Sequence, residues 1–296
     1  MKHSKQEGKT FGNAWMFKTL IRILKHININ VFYVFLTIFV VPVTMIVSKG
    51  ARLTYYYYHK KRQYGCFKSL WATFNNHRLF GQTVVDKFAM YAGHKFPMTI
   101  QGLEDFKEKL KSDQPCLMLS AHIGCSEIVG YTIKLPKPCN VLVYGGEKQS
   151  LMAYRKASFG KMNVKMIPVG IGDSHSEEII NALDKGEVIS AFADRFMNAN
   201  KMIVSTIHGH KVNLARGPFS LAITRGMDVY MVSAMKENRG KYNVFFTPLH
   251  YDKNVSSSMQ RQQLADAYTT EIERLLNLYP MQWFNYSNIW NHNIAN

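Results

Sequence analysis

The sequence lacks the features of several protein classes. Only four of its 296 residues are cysteines, and no two of them form a Cys-x-x-Cys pair. Four are too few for a disulfide scaffold, and a reducing compartment fits best. There is no Gly-X-Y run, sustained heptad or internal repeat, which excludes collagen, coiled coils and solenoids. Hydrophobic residues make up 47% of the chain, which is enough to fill a substantial core and argues against disorder.

Acidic residues are scarce in the first third of the chain. Residues 1–100 hold 15 Lys and Arg but only Glu7 and Asp86, a balance of +13. The remaining 196 residues hold 22 basic and 18 acidic side chains, so most of the net charge of +17 lies near the N-terminus. A basic region of this kind indicates a polyanionic partner, which could be nucleic acid, an anionic lipid surface or an acidic protein.

One long hydrophobic run lies within this basic region. Residues 27–48 (ININVFYVFLTIFVVPVTMIVS) carry no charge, and as a helix they would span roughly 33 Å, about the thickness of a bilayer core. The first interpretation is a retained membrane anchor inside a basic N-terminal region, 1–62, followed by a second domain, 63–296. A buried core helix is the alternative. Because Pro42 interrupts the run and basic residues flank it on both sides, a helix that re-enters one leaflet or lies at the interface is also compatible.

The rest of the chain alternates short apolar strands with helical segments. Helical spacing covers residues 68–93, strands are predicted at 116–120, 140–144, 164–168, 188–193, 202–207, 229–236 and 242–248, and helices at 148–159, 174–185, 218–225 and 258–278. This alternation predicts an α/β fold in which a mixed, mostly parallel sheet is flanked by helices and preceded by the N-terminal membrane-anchor helix.

A histidine follows the strand at 116–120, and an acid follows it five residues later. On one continuous helix, the side chains of His122 and Glu127 would point about 140° apart. If His122 lies in the turn between strand and helix, Glu127 can reach the imidazole and orient it, and nearby helix N-terminal N–H groups can stabilise negative charge. His122 is then a candidate general base. A structural histidine is the alternative, and a metal site with Cys125 lacks a second ligand cluster.

Several segments resemble one known family in order and spacing. LSAHIGCSEI (119–128) holds a His-x-x-x-x-Glu motif at a strand end, and ALDKGEVISAFADRF (182–196) holds a helix, Lys-Gly-Glu, an apolar strand and an Asp. A Gly-Pro helix start within 207–242 and the ending YPMQWFNYSNIW (279–290) agree as well. With the N-terminal hydrophobic run, these segments resemble the lysophospholipid acyltransferase superfamily, and specifically its late lipid A branch of lauroyl and myristoyl transferases.

The resemblance implies an acyltransferase that moves a fatty acyl chain from acyl carrier protein or acyl-CoA to a hydroxyl of a lipid A precursor. His122 would be the base and Glu127 would orient it, with no covalent acyl-enzyme and no cofactor. Asp194 matches an acidic position of the family and would bind the acceptor or a basic side chain, with helix capping as the alternative. Its neighbour Arg195 departs from the family pattern. The enzyme would lie at the bacterial inner membrane with residues 63–296, its catalytic domain, on the cytoplasmic face.

Two arginines are further candidates for binding the substrate. Arg155 follows a Gly-Gly turn on a predicted helix, where it could meet a phosphate of the acceptor or the thioester oxyanion. Arg216 precedes a Gly-Pro pair at a predicted helix start. A solvated surface arginine is the alternative for each. His208 and His210 alternate in a predicted strand and share one face, but no metal site is predicted without a third ligand.

Two other functions remain open. An acyltransferase for a lysophospholipid or an aminolipid would use the same base, because the choice of acceptor depends on pocket shape. A membrane-anchored basic binding protein would not be an enzyme, and it predicts that His122→Ala leaves function intact. No helix-turn-helix, zinc-finger or RNA-recognition pattern is found, so nucleic acid is not an expected partner. The expected partners are the acyl donor, a membrane lipid acceptor and the membrane surface.

Overall fold

The computed structural model describes residues 14–144, 162–169, 174–196, 201–237 and 240–290. The predicted helix at 148–159 lies outside these ranges. The described helices are α1 Ala14–Leu24, α2 Ile29–Phe35, α3 Val41–Val47, α4 Lys49–Tyr56, α5 Cys66–Tyr91, α6 Leu103–Lys109, α7 Glu127–Thr132, α8 Ser174–Asp184, α9 Arg216–Thr224 and α10 Ser257–Leu278. Two π-helical turns follow α2 and α4, at Leu36–Val40 and Tyr57–Lys61.

A seven-stranded sheet with the order β1-β9-β8-β2-β5-β3-β4 forms the centre of the molecule. The described strands are β1 Met98–Gln101, β2 Cys116–Ser120, β3 Cys139–Tyr144, β4 Val164–Val169, β5 Val188–Phe192, β6 Met202–Ile207, β7 His210–Ala215, β8 Asp228–Lys236 and β9 Tyr242–Leu249. Every neighbouring pair in the sheet is parallel except β8 and β9, and β6 and β7 form a separate antiparallel hairpin. The predicted mixed, mostly parallel α/β architecture is confirmed.

The central strands are largely apolar because both faces of the sheet are covered. All five residues of β2 are buried. Leu117 and Leu119 pack into one hydrophobic cluster with α8, α9 and α10, whereas Cys116 and Met118 pack into a second cluster with α6 and α7. The molecule therefore has three layers, with the sheet between two helical layers.

The N-terminal hydrophobic run is one continuous helix at Ile29–Val47, with a mean hydropathy of 2.3, and only 6% of it is buried. It is long and apolar enough to cross a membrane. One side packs on α5, where Leu36 lies against Gly81. The other side exposes large apolar side chains, namely Val31, Val34, Phe35, Ile38, Phe39, Val43, Ile46 and Val47. This helix is a candidate anchor whose outer face is open to lipid.

A buried polar cluster ties the anchor helix to the sheet. Asp86 on α5 is fully buried and forms an ion pair with Lys236 at the end of β8. The hydroxyls of Tyr33 on α2 and Tyr242 on β9 donate hydrogen bonds to the same carboxylate. The Lys236 ammonium also lies 4.9 Å from the centroid of the Tyr33 ring. The cluster therefore connects α2 and α5 to β8 and β9. The division of the chain at residue 62 stays a prediction.

Candidate active site

Two neighbouring parallel strands bring a histidine and an aspartate together. In the pairing of β2 with β5, Ser120 lies opposite Phe192 at the carboxyl ends of both strands. His122 and Asp194 each follow these residues by two positions, so they leave the sheet side by side at the same edge. This is the edge at which open α/β sheets place their functional side chains.

The two side chains are joined by a pair of hydrogen bonds. The imidazole Nδ1 of His122 lies 2.7 Å from Oδ1 of Asp194, and the backbone N–H of His122 donates to Oδ2 at 2.8 Å. The Asp194 side chain is fully buried, whereas 29% of the His122 side chain is exposed. The Phe192 ring packs on the imidazole with a centroid distance of 4.7 Å. With Nδ1 donating to the carboxylate, the lone pair of the neutral ring lies on Nε2, which can accept a proton.

The electrostatic surroundings keep Asp194 ionised. Burial raises the pKa of its carboxyl, but the charge of His122, the hydrogen bonds from the ring and backbone of His122 and the charge of Arg195 outweigh burial. The pKa of Asp194 therefore lies below its usual value. A carboxylate that stays charged can stabilise an imidazolium next to it.

The position predicted for Glu127 is occupied by a different acid. Glu127 begins α7 and forms an ion pair of 2.5 Å with Lys87 of α5, and both side chains are largely buried, at 22% and 18% exposure. The acid on Nδ1 of His122 is Asp194, which comes from the neighbouring strand. The orienting contact at Nδ1 that was predicted for Glu127 is made by Asp194, and the basic side chain that Asp194 holds is His122, in agreement with one of the two roles predicted for Asp194.

The backbone amides of the turn after β2 are already used. Gly124 N donates to Gln282 O at 2.8 Å, and Cys125 N donates to Ala234 O at 2.7 Å. The turn needs a glycine, because residue 124 has a φ of 57° and a Cβ there would lie 2.2 Å from Ala234 O. With the His122 amide bound to Asp194, each of these three N–H groups has an acceptor within the protein, and the predicted role of the N–H groups at the start of α7 stays a prediction.

Comparison with known protein families identifies what kind of enzyme has this site. A sequence model of the family described as bacterial lipid A biosynthesis acyltransferase matches residues 74–292. The chain belongs to this family. The predicted resemblance is therefore confirmed, and the protein is an acyltransferase, which implies an acyl donor and a lipid acceptor.

Two further comparisons concern solved structures and curated protein sequences. Among solved structures, the 1-acyl-sn-glycerophosphate (LPA) acyltransferase PlsC from Thermotoga maritima is similar over 90% of this chain and 99% of its own, with 13% sequence identity and a TM-score of 0.39. No curated protein sequence matches the acyltransferase.

Of the two candidate arginines, Arg216 lies within the described residues. Arg155 lies outside the described residues. Arg216 begins α9 and lines an open cavity of about 440 Å³ with residues of β6 and the first turns of α10, including Arg261 and Met259. Neither His122 nor Asp194 is among the described residues that line this cavity. The role of Arg216 in substrate binding stays a prediction.

Two further histidines of the acyltransferase, His208 and His210, were predicted from the sequence to share one strand face. His208 lies in the turn between β6 and β7 with a φ of 49°, so it does not share a strand face with His210, as had been predicted. Arg62 Nη1 contacts its ring at 2.6 Å, and Glu273 accepts from its backbone N–H at 2.9 Å. Within the described ranges, no group of three or more His, Cys, Asp or Glu side chains is arranged to hold a metal ion.

Proposed function

We propose that this acyltransferase transfers a fatty acyl chain from an acyl thioester to a hydroxyl of a lipid A precursor, with His122 as the general base. The observation that carries the proposal is the His122 ring, partly exposed and held through Nδ1 by the buried, ionised Asp194. A positioned base of this kind contributes roughly 10²–10⁴-fold to a reaction rate.

The reaction needs no covalent acyl-enzyme. Nε2 of His122 takes the proton of the acceptor hydroxyl as its oxygen attacks the thioester carbonyl carbon. The tetrahedral intermediate then collapses, the carbon–sulfur bond breaks, and the leaving thiolate receives the proton from the imidazolium. Asp194 stabilises the imidazolium between these two steps. The products are the acylated lipid and the free thiol of the carrier, so every proton is accounted for.

Glu127 keeps a catalytic role in this proposal, but through Lys87. The ion pair between them lies on α7 and α5, directly after the turn that carries His122. The proposed role of the Lys87 ammonium, which this carboxylate holds, is to stabilise the negative charge that develops on the thioester oxygen. Arg155 and Arg216 are proposed to bind anionic groups of the substrates, as predicted from the sequence.

Charge and hydrophobicity support the proposed donor and the proposed location. The excess of 13 positive charges in residues 1–100 suits both the acidic surface of acyl carrier protein and the phosphates of a glycolipid headgroup. The apolar outer face of the helix at Ile29–Val47 would hold the enzyme at the membrane in which the acceptor lies. We place the enzyme at the bacterial inner membrane with its site on the cytoplasmic side, where acyl carrier protein is found.

The test is acyl transfer by membranes that contain wild type, His122→Ala or His250→Ala. His250 is an exposed histidine just beyond β9, at the opposite edge of the sheet, and serves as the matched control. Labelled acyl carrier protein and acyl-CoA are the donors, and a lipid A precursor and a lysophospholipid are the acceptors. We expect transfer to the lipid A precursor that His122→Ala abolishes and His250→Ala preserves. Transfer that survives His122→Ala would rule out His122 as the general base. Transfer to the lysophospholipid alone would rule out the lipid A precursor as the acceptor.

A further inference from the structure

A segment near the C-terminal end of the sequence packs against the candidate active site. Residues 281–286, which we call the C-terminal strap, run beside the turn that carries His122. Phe284 N donates to His122 O at 2.6 Å, and Gly124 N donates to Gln282 O at 2.8 Å. An isolated antiparallel bridge lies between these two bonds. The turn after β2 is therefore held by chain that is distant in the sequence.

The strap is itself attached to rigid elements. The Gln282 side chain is buried and makes two hydrogen bonds with the backbone of Lys236 on β8, at 2.8 and 2.7 Å. The fully buried Asn76 of α5 donates to the carbonyls of Met281 and Trp283, at 3.1 and 2.8 Å. These bonds connect the strap to the sheet on one side and to α5 on the other.

The same strap also binds Asp194. The Asn285 amide nitrogen donates to the backbone carbonyl of Asp194 at 2.6 Å and to its Oδ2 at 3.2 Å. Trp283 Nε1 lies 3.4 Å from that oxygen. Oδ2 thus accepts from the strap and from the His122 backbone, which leaves Oδ1 for the His122 ring. The donors to Oδ2 therefore determine the rotation of the Asp194 carboxylate.

The orientation of the Asn285 amide follows from its other contacts. Its Oδ1 accepts from Arg195 Nε at 3.1 Å and from Ser287 N at 3.2 Å. Turning the amide by 180° would place its oxygen against the Asp194 carboxylate and its NH₂ group against two donors. Asn285 is therefore a donor to Asp194 and an acceptor from Arg195.

We propose that Asn285 is a positioning residue for acyl transfer, which acts by holding the Asp194 carboxylate in the orientation that aligns the His122 ring. The inference rests on the proposed function of His122 as the base. Charge-assisted hydrogen bonds to a buried carboxylate are the strong kind, and displacement of a catalytic group by about 1 Å can lower a rate by roughly 10²-fold. Loss of the Asn285 donor is therefore expected to lower kcat and to leave KM nearly unchanged.

The chain offers a matched control at the opposite edge of the sheet. Asn140, at the start of β3, is buried and donates to Glu187 Oε2 at 2.8 Å. Asn140→Asp and Asn285→Asp make the same chemical change, because each replaces an amide donor with a carboxylate that faces another carboxylate. Only Asn285→Asp makes the change next to the proposed base.

The experiment measures kcat, KM and the free energy of unfolding for wild type, Asn285→Asp, Asn285→Ala, Asn140→Asp and His122→Ala. We expect both Asn285 variants to lose roughly 100-fold in kcat with KM within about twofold. Asn140→Asp is expected to lose stability comparable to Asn285→Asp while its kcat stays near wild type. Asn285→Ala introduces no charge, so it tests the donor even if the aspartate variant folds poorly.

The pH dependence separates positioning from a structural role. Two neighbouring carboxylates keep one shared proton up to a higher pH than a single carboxylate does. When the carboxyl at position 285 of Asn285→Asp is protonated, it can donate to Asp194 again. The kcat of Asn285→Asp relative to wild type should therefore rise as the pH falls, whereas the ratio for Asn285→Ala stays flat. The titratable groups described around Asp194 are His122, Arg195 and Tyr268, and wild type and both Asn285 variants retain all three.

Three results would overturn the inference. They are a kcat of Asn285→Ala within about twofold of wild type, an equal loss of kcat in Asn140→Asp at equal stability, and a deficit of Asn285→Asp that is the same at every pH. If His122→Ala keeps its activity, the proposed function fails instead. Loss of activity in His122→Ala together with unchanged Asn285 variants would contradict the positioning role alone.

Discussion

The anchor helix and the carboxyl edge of the sheet depart from ordinary burial in opposite directions. The helix at Ile29–Val47 exposes apolar side chains, with Phe35 and Phe39 at 55% and 60% exposure. The sheet edge instead buries a charge completely, at Asp194. Both arrangements are unfavourable in water unless something compensates for them. For Asp194 the compensation is His122, Arg195 and the C-terminal strap, whereas none of the described residues covers the outer face of the helix, and a lipid surface fits.

The largest expected effect is at the buried charge. Asp194→Asn keeps the shape of the side chain but replaces the acceptor at Nδ1 with a neutral amide. By analogy with other carboxylate–histidine pairs, we expect the acyl transfer rate to fall by roughly 10³–10⁴-fold, with a small change in thermal stability. Steady-state acyl transfer and a melting curve measure the two quantities. A rate within tenfold of wild type would show that the carboxylate does not support the base.

The second effect concerns the cluster that joins the two regions. Asp86→Ala leaves the buried Lys236 ammonium without its partner, which costs about 3–5 kcal/mol of unfolding free energy. The double variant Asp86→Leu with Lys236→Met removes both charges and is expected to recover most of that loss. Urea unfolding in detergent micelles measures both. Equal destabilisation by the single and the double variants would mean that packing, and not the charge pair, holds the anchor helix to the sheet.

The third effect concerns the exposed face of the anchor helix. Phe35→Ser with Phe39→Ser removes two rings whose centroids lie 5.2 Å apart. Burial of a phenylalanine in an apolar phase contributes about 1.5–3 kcal/mol, so sedimentation with vesicles that contain anionic lipid should fall sharply. Ile180→Ser, which replaces an exposed apolar residue on α8, is the control and should leave sedimentation unchanged. Unchanged binding of the double variant would argue against this face as the membrane contact.

The smallest effect is the pH dependence of stability. Because the pKa of Asp194 is lower in the folded chain than the ordinary value of 3.8, the unfolded chain binds this proton first as the pH falls. The stabilisation is complete above pH 3.8 and is lost below it, at about 1.4 kcal/mol for each unit of the shift. The unfolding free energy of wild type should fall more steeply than that of Asp194→Asn as the pH drops below 4. Parallel curves would contradict the low pKa.

The sequence predicted the elements of the fold better than the contacts between them. The strand at 116–120 was predicted correctly because it combines four apolar residues with one serine and is buried on both faces. The partner of His122 was not, since Glu127 was chosen for its closeness in sequence, whereas Asp194 reaches Nδ1 only because β5 lies next to β2 in the sheet. Strand order is set by crossover connections and long-range packing, which leave no local pattern.

The C-terminal segment shows the same limit. Its aromatic-rich ending contributed to the family resemblance, but nothing in QWFN itself indicates that Gln282 and Asn285 bind the turn of His122 and the Asp194 carboxylate. Buried amides that satisfy distant backbone groups are recognisable only when both partners are seen together. The one signal available was a polar asparagine among large aromatic residues, which favours a buried hydrogen bond.

The position of the strap along the chain has a consequence for synthesis. A nascent polypeptide that ends before residue 282 has the helix at Ile29–Val47 and both strands that carry the His122–Asp194 pair, but it lacks the hydrogen bonds that Gln282 and Phe284 make with the turn after β2. The apolar helix emerges from the ribosome first and can meet the bilayer while the remaining domain is still being made. The contacts that align His122 therefore form only after the candidate anchor helix has been made.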